Sequence, residues 1–160
     1  SYDEVLELKT VEEMVEVYYN SGQFFNTLHR LEHFFATPYE LYFALGRYYE
    51  AKGLLEVSHS RIARYEILLD FIKGLQTGEE ELYRELLTFD LYLRENVKSR
   101  PAFAGDYTVD KEVKKQYGKT VHLERFSYDV MGTCERKELT ILFDYEKRSK
   151  LNHQATILSV

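Results

Sequence analysis

Up to about Tyr117, apolar residues recur every three to four positions; beyond it they alternate with polar ones. The first spacing places side chains on one face of a helix, the second on one face of a strand. The expected architecture is α+β: a helical body over residues 1–117 and a small β subregion over residues 118–160, in a single domain.

The first helix is predicted from Asp3 to Tyr19, with Val5, Leu8, Val11, Val15 and Tyr18 aligned. Thr10-Val-Glu-Glu13 has capping-box spacing, so a restart is expected there. Asn20-Ser21-Gly22 ends the segment, because Asn and Gly tolerate left-handed backbone. A second helix over Gln23 to Phe35 buries Phe24, Leu28, Leu31 and Phe35. Thr37-Pro38-Tyr39-Glu40 supplies an N-cap, a proline at the first helical position and a closing glutamate. The third helix that follows carries Leu41, Leu45, Tyr48 and Tyr49 and stops at Gly53. Ser58 or Ser60 caps a fourth, with Ile62, Tyr65, Leu68, Leu69 and Ile72 inside and its end at Gly74.

Thr77-Gly-Glu-Glu80 has the same box spacing and opens a fifth helix presenting Leu82, Leu86, Phe89 and Leu93. Pro101 blocks continuation, and Lys98 and Arg100 suit the negative end of that helix's dipole. Gly105-Asp106 marks a loop before a short helix from Val109 to Tyr117. These five to six short-looped helices should pack antiparallel to their neighbours. In the tail, Val121 and Leu123 alternate, then Phe126, Tyr128 and Val130 alternate in a shifted phase, which places a β-bulge at Glu124-Arg125. Leu139 to Tyr145 and Ala155 to Val160 complete a three-stranded antiparallel sheet, one face of which the helical body must cover.

Composition narrows the classes. The chain has 160 residues, enough for one buried core, with 14 Tyr, 10 Phe and no Trp. Tyrosine buries a ring but keeps a hydroxyl that needs a partner, which points to an aromatic core with wet edges or to a surface that another protein or domain covers. Net charge is −6 and no basic cluster is dense enough to track a phosphate backbone, so no nucleic-acid partner is expected. No apolar run reaches the ~20 residues of a membrane span, so no membrane partner is expected either. Cys134 is the single cysteine; it can make no internal disulfide, and a reducing, cytoplasmic setting fits. Beside Gly132 and without a local base, it reads as an inert loop residue.

His29-Arg-Leu-Glu-His33 matches the inverted zinc-protease pattern, with two histidines one turn apart and Glu32 to activate a metal-bound water. A third ligand would have to come from elsewhere, and five histidines among many glutamates make such a short match easy by chance. His59, His122 and His153 are isolated in sequence, and Ser58-His-Ser60 reads as a cap. Asp90 and Arg94 have the spacing of an exposed helical ion pair. Arg47, Arg61 and Arg64 form a mild basic group that could bind an anion but reads first as surface partners of Glu50 or Glu66. Tyr42-x-x-Leu45-Gly46-x-x-Tyr49 resembles the first helix of a tetratricopeptide repeat, where a small residue lets two helices approach, but no second copy follows about 34 residues on. No residue is assigned a catalytic, cofactor-binding or metal-binding role.

Several runs are similar to one family. Ser1-Tyr-Asp-Glu-Val-Leu-Glu-Leu-Lys9 and Val11-Glu-Glu-Met-Val-Glu-Val-Tyr-Tyr-Asn-Ser-Gly22 resemble the stretch just after the catalytic barrel in B12-binding-type radical-SAM proteins, often labelled Fe–S oxidoreductases. Arg64-Tyr65, Leu87-Thr-Phe-Asp-Leu-Tyr92 and Ile141-Leu-Phe-Asp-Tyr145 resemble the C-terminal domain of unknown function that follows. The family's Cys-x-x-x-Cys-x-x-Cys motif is missing here, so none of its catalytic residues carries over. The resemblance implies a non-catalytic accessory domain, a fragment of a longer chain, whose partner is the radical-SAM barrel of the same parent. The parent would hold a [4Fe-4S] cluster and S-adenosylmethionine, with cobalamin in a further domain; this fragment holds no cofactor. The competing expectation is a free-standing helical interaction module that docks through its Tyr-rich third helix.

Overall fold

The computed structural model describes residues 1–105 and 109–160. Among these residues there are six α-helices followed by a three-stranded antiparallel sheet, an α+β layout. Of the loop expected at Gly105-Asp106, Asp106 lies outside the described residues. The backbone divides into two compact units, Ser1–Glu80 and Glu81–Val160. The change of period at Tyr117 marks the start of the strands, whereas the unit boundary lies two helices earlier, at the start of the fifth.

In the first unit, α1 (Tyr2–Met14) opens with Ser1 as N-cap in a reciprocal box with Glu4. Thr10 does not restart the helix: its hydroxyl donates back to the Leu6 carbonyl at 3.0 Å, mid-helix. The helix instead widens into a π-helical turn, Val15–Asn20. Val11, Met14 and Tyr18 are buried, but Val5 and Leu8 are about half exposed, so the predicted stripe faces the core only along its second half. Helices α2 (Phe25–Glu32) and α3 (Pro38–Ala51) follow. Thr37 caps α3 by accepting from the Glu40 amide, as its sequence requires.

Gly46 is where α1 crosses α3. A Cβ there would meet Thr10 Cγ2 at 2.9 Å, so only glycine permits this approach. The small residue has the role its sequence context suggested, but the helix it admits precedes it rather than follows it. The most extensive helix contact is thus between α1 and α3, not between sequence neighbours. Helix α4 (Arg61–Leu75), capped by Ser60, runs through Gly74 and ends on Gln76 in the left-handed region, φ 54°. Tilted rings pack through the interior of this unit: Tyr18 lies 5.0 Å from Phe24, and Phe24 lies 4.5 Å from Tyr65.

In the second unit, α5 (Glu80–Arg94) begins later than its box-like sequence implies. Thr77 accepts from the Glu79 amide in a local turn, and Glu79 is held by Arg30, whose Nε lies 3.1 Å away. Strands β1 (Val121–Tyr128), β2 (Arg136–Asp144) and β3 (Thr156–Ser159) pair in that order. Helix α6 (Lys111–Tyr117) lies against β1. Phe89 of α5 contacts Phe126 and Phe143, and Tyr92 contacts Phe143, so α5 covers one face of the sheet. The C-terminal carbonyls of α5 are satisfied from this face: Tyr145 donates to the Tyr92 carbonyl at 2.5 Å, and the Ala155 amide to Leu93 at 2.8 Å.

The bulge is not at Glu124-Arg125. Pairing is regular from Val121 to Phe126 and shifts between Phe126 and Tyr128. The apparent phase slip has a different origin: Glu124 is itself on the core face, 2 % exposed, beside His122 and Phe126. A charged residue in an apolar register looks like a slip when only hydropathy is read.

Candidate functional site

An open cavity of about 840 Å³ lies in the first unit among α1, the π-helical turn, α2 and the start of α3. Val11, Val15 and Leu28 supply apolar wall, and Tyr19, Phe25 and Tyr39 bring aromatic rings to it. Glu32 is the single Asp, Glu, Lys or Arg among its described lining residues. Three lining residues, Val15, Tyr19 and Asn20, come from the π-helical turn. Such turns carry one extra residue per turn and re-aim side chains that a regular helix would place elsewhere, and they are frequent at functional sites.

Tyr42 also lines this cavity. It is 4 % exposed, and its hydroxyl has no hydrogen-bond partner among the described residues. Leaving a buried hydroxyl unpaired costs about 1–3 kcal/mol, so each such group calls for an explanation. Burial pushes the Tyr42 phenol above its ordinary range, and the nearby Glu32 carboxylate and Tyr19 push it further the same way. The hydroxyl therefore stays protonated and neutral.

His29 and His33 do share a helix edge, with ring centroids 5.6 Å apart, and His29 stacks on Phe25 at 6.2 Å. His29 and Glu32 line the cavity. Among the described residues no group of three or more His, Cys, Asp or Glu is placed to hold a metal ion, so the H-x-x-E-H run gains no third ligand.

Residues 1–117 match the model of a family described as a protein of unknown function, DUF4080. The chain belongs to the DUF4080 family. No curated protein and no solved structure matches it. The family match takes in every residue of the cavity and stops short of the sheet.

The second unit of this DUF4080 chain holds a buried charged cluster that hydropathy alone did not reveal. Arg100 Nε and Nη2 each donate to Glu124 at 2.8 Å, and His122 Nε2 reaches the same carboxylate at 3.1 Å. Arg100 also donates to the carbonyls of Ala104, at 2.9 Å, and Gly105. Its sequence position suggested the end of α5, whereas these donors reach β1 and the 104–105 carbonyls. The His122 ring stacks on Tyr92 at 3.7 Å. Burial alone would raise the Glu124 carboxyl, but hydrogen bonds and charge from Arg100 and His122 outweigh it and hold it below the usual carboxylate range. Burial pushes the Tyr92 phenol up to about 12, with Glu124 adding to the shift. The cluster staples the 100–105 segment to β1, and its groups are spent on one another.

Glu85 is a second buried carboxylate, 5 % exposed. It accepts from the Ser127 amide at 2.8 Å and the Tyr128 amide at 3.1 Å, at the bulge. Burial raises its carboxyl above the ordinary range despite those two bonds.

The remaining candidates are dispersed. His59 Nε2 lies 2.9 Å from the Leu54 carbonyl. Cys134 sits in the β1–β2 loop at φ 59°, and His153 in the β2–β3 loop at φ 58°. Arg64 is not a surface partner of Glu66: it donates to the Tyr49 hydroxyl at 2.7 Å, which in turn lies 2.5 Å from that of Tyr18. Arg47 lies over the Phe43 ring. Asp90 is 2 % exposed, so it is not half of an exposed pair with Arg94. On α3, Tyr42 and Tyr49 are buried, which removes them from any docking face on that helix.

Proposed function

We propose that this DUF4080 chain is a non-catalytic accessory domain that packs on the catalytic barrel of a B12-binding-type radical-SAM protein and helps enclose its substrate. The observation that carries the reading is the outer half of α1. Tyr2, Val5, Leu6 and Leu8 are 45–77 % exposed in the run that resembles the sequence following such a barrel. Four large apolar side chains on one short helical segment favour burial against another surface. The lone cysteine cannot hold a [4Fe-4S] cluster, which takes several thiolates, so cluster chemistry would belong to the barrel.

The test is made in the parent protein. Reading the coding sequence upstream should reveal a barrel with the three-cysteine motif. Replacing Val5 and Leu8 with Lys in that protein should lower substrate turnover while leaving cluster content intact. Loss of the cluster alone, or an upstream sequence without the motif, overturns the reading.

A further inference from the structure

The cavity and its unpaired hydroxyl carry an inference that does not depend on any barrel. We propose that the cavity of the first unit binds a small amphipathic organic ammonium ion, its apolar body against Val11, Val15 and Leu28 and its charged end between Glu32 and the Tyr42 hydroxyl.

Three observations converge. The cavity, about 840 Å³, falls in the size range of small-molecule sites and is walled largely by apolar and aromatic groups. Tyr42 is more than nine-tenths buried in its wall, with a hydroxyl that no described residue satisfies. A ligand that hydrogen-bonds there removes a cost the free protein carries. The π-helical turn adds Tyr19 and Asn20 to the wall.

The charge of the ligand follows from what surrounds that hydroxyl. Glu32 supplies negative charge and no Lys or Arg is among the described lining residues, so an anion would be repelled. A cation gains the Glu32 carboxylate as a charge-assisted partner and the Tyr42 oxygen as a second acceptor. The rings of Tyr19, Phe25 and Tyr39 are also in the wall, and aromatic rings attract an ammonium. A neutral ligand gains only the apolar contact and one hydrogen bond. An inorganic cation would leave the apolar wall unused.

The experiment compares three probes with the same phenylethyl body on the full chain: 2-phenylethylammonium, 2-phenylethanol and 3-phenylpropionate. Binding is read by calorimetry and by NMR shifts of the tyrosine rings. The ammonium ion should bind saturably, the alcohol about tenfold more weakly, and the carboxylate not measurably. Glu32→Gln should reduce affinity for the ammonium ion about tenfold and abolish its advantage over the alcohol. Tyr42→Phe should weaken ammonium binding severalfold while leaving the melting temperature unchanged or higher, because the unpaired hydroxyl is gone. Equal binding of all three probes overturns the proposal, as does the absence of saturable ammonium binding. Ammonium affinity unchanged in both variants, with folding intact by circular dichroism, overturns it too.

Discussion

Two buried glutamates in the same unit meet opposite fates. Glu124 is held below the ordinary carboxylate range by Arg100 and His122, whereas Glu85 is raised by burial. For Glu124, the stabilising contribution is complete above the unfolded value near 4.5 and fades as pH falls through the lower folded value. Glu124→Gln should therefore cost about 2–4 kcal/mol in urea unfolding at pH 7, and the gap to the unsubstituted chain should narrow as pH falls below 4.5 and close once it passes the lower folded value. Arg100→Met should cost about 3–5 kcal/mol, because it strands a buried carboxylate. For Glu85 the sign reverses: its contribution is complete below about 4.5 and is lost as pH rises through the raised folded value. Glu85→Gln keeps an oxygen for the Ser127 and Tyr128 amides and sheds the buried charge. It should match or exceed the parent stability at pH 7, while Glu85→Ala, which orphans two amides, should lose about 2–3 kcal/mol. None of this was legible in sequence. A glutamate on a strand reads as solvent-facing, and only the fold shows that Arg100, 24 residues away, neutralises it.

At the scale of elements, caps were legible where the bond is local. Thr37 and Ser60 accept from amides three residues on, so sequence spacing alone specifies them. The same spacing misled at Thr10 and Thr77, where the chain already continues a helix or makes a turn first. The crossing of α1 over α3 rests on Gly46. Gly46→Ala gains helix propensity of about 1 kcal/mol but drives a methyl into Thr10 Cγ2, which its back-bond to Leu6 holds in place. The net result expected in thermal unfolding is destabilisation of about 1–2 kcal/mol. Adding Thr10→Ser, which deletes that methyl, should recover most of it, and a double-mutant cycle measures the coupling. At the end of α4, Gln76 is in the left-handed region that glycine adopts freely. Gln76→Gly should raise stability by a few tenths to about 1 kcal/mol.

For the whole molecule, helix then strand was readable from period alone, since 3.6- and 2-residue repeats are properties of the backbone. The exposed outer half of α1 predicts that Val5→Lys with Leu8→Lys will leave the melting temperature of the isolated chain almost unmoved, because surface changes rarely exceed about 0.5 kcal/mol. A large loss would mean that this face is structural rather than available. The cavity was only half visible beforehand. His29 and Glu32 stood out as a motif, but Tyr42 looked like part of a helical-repeat signature, and nothing local marked the π-helical turn that brings Tyr19 to the same wall.

By itself, the sequence determined the order of elements, most of their ends and the residues of the helical cores, because those follow from periodicity and from bonds spanning three or four residues. Tertiary structure alone decided that α1 crosses α3, that Glu124 and Glu85 are buried, and that the Tyr42 hydroxyl, in the same cavity wall as Glu32, has no partner among the described residues. The reason is physical: burial and electrostatic pairing depend on distances in space, and residues such as Arg30 and Glu79, 49 positions apart, carry no mark of their meeting in the string that encodes them.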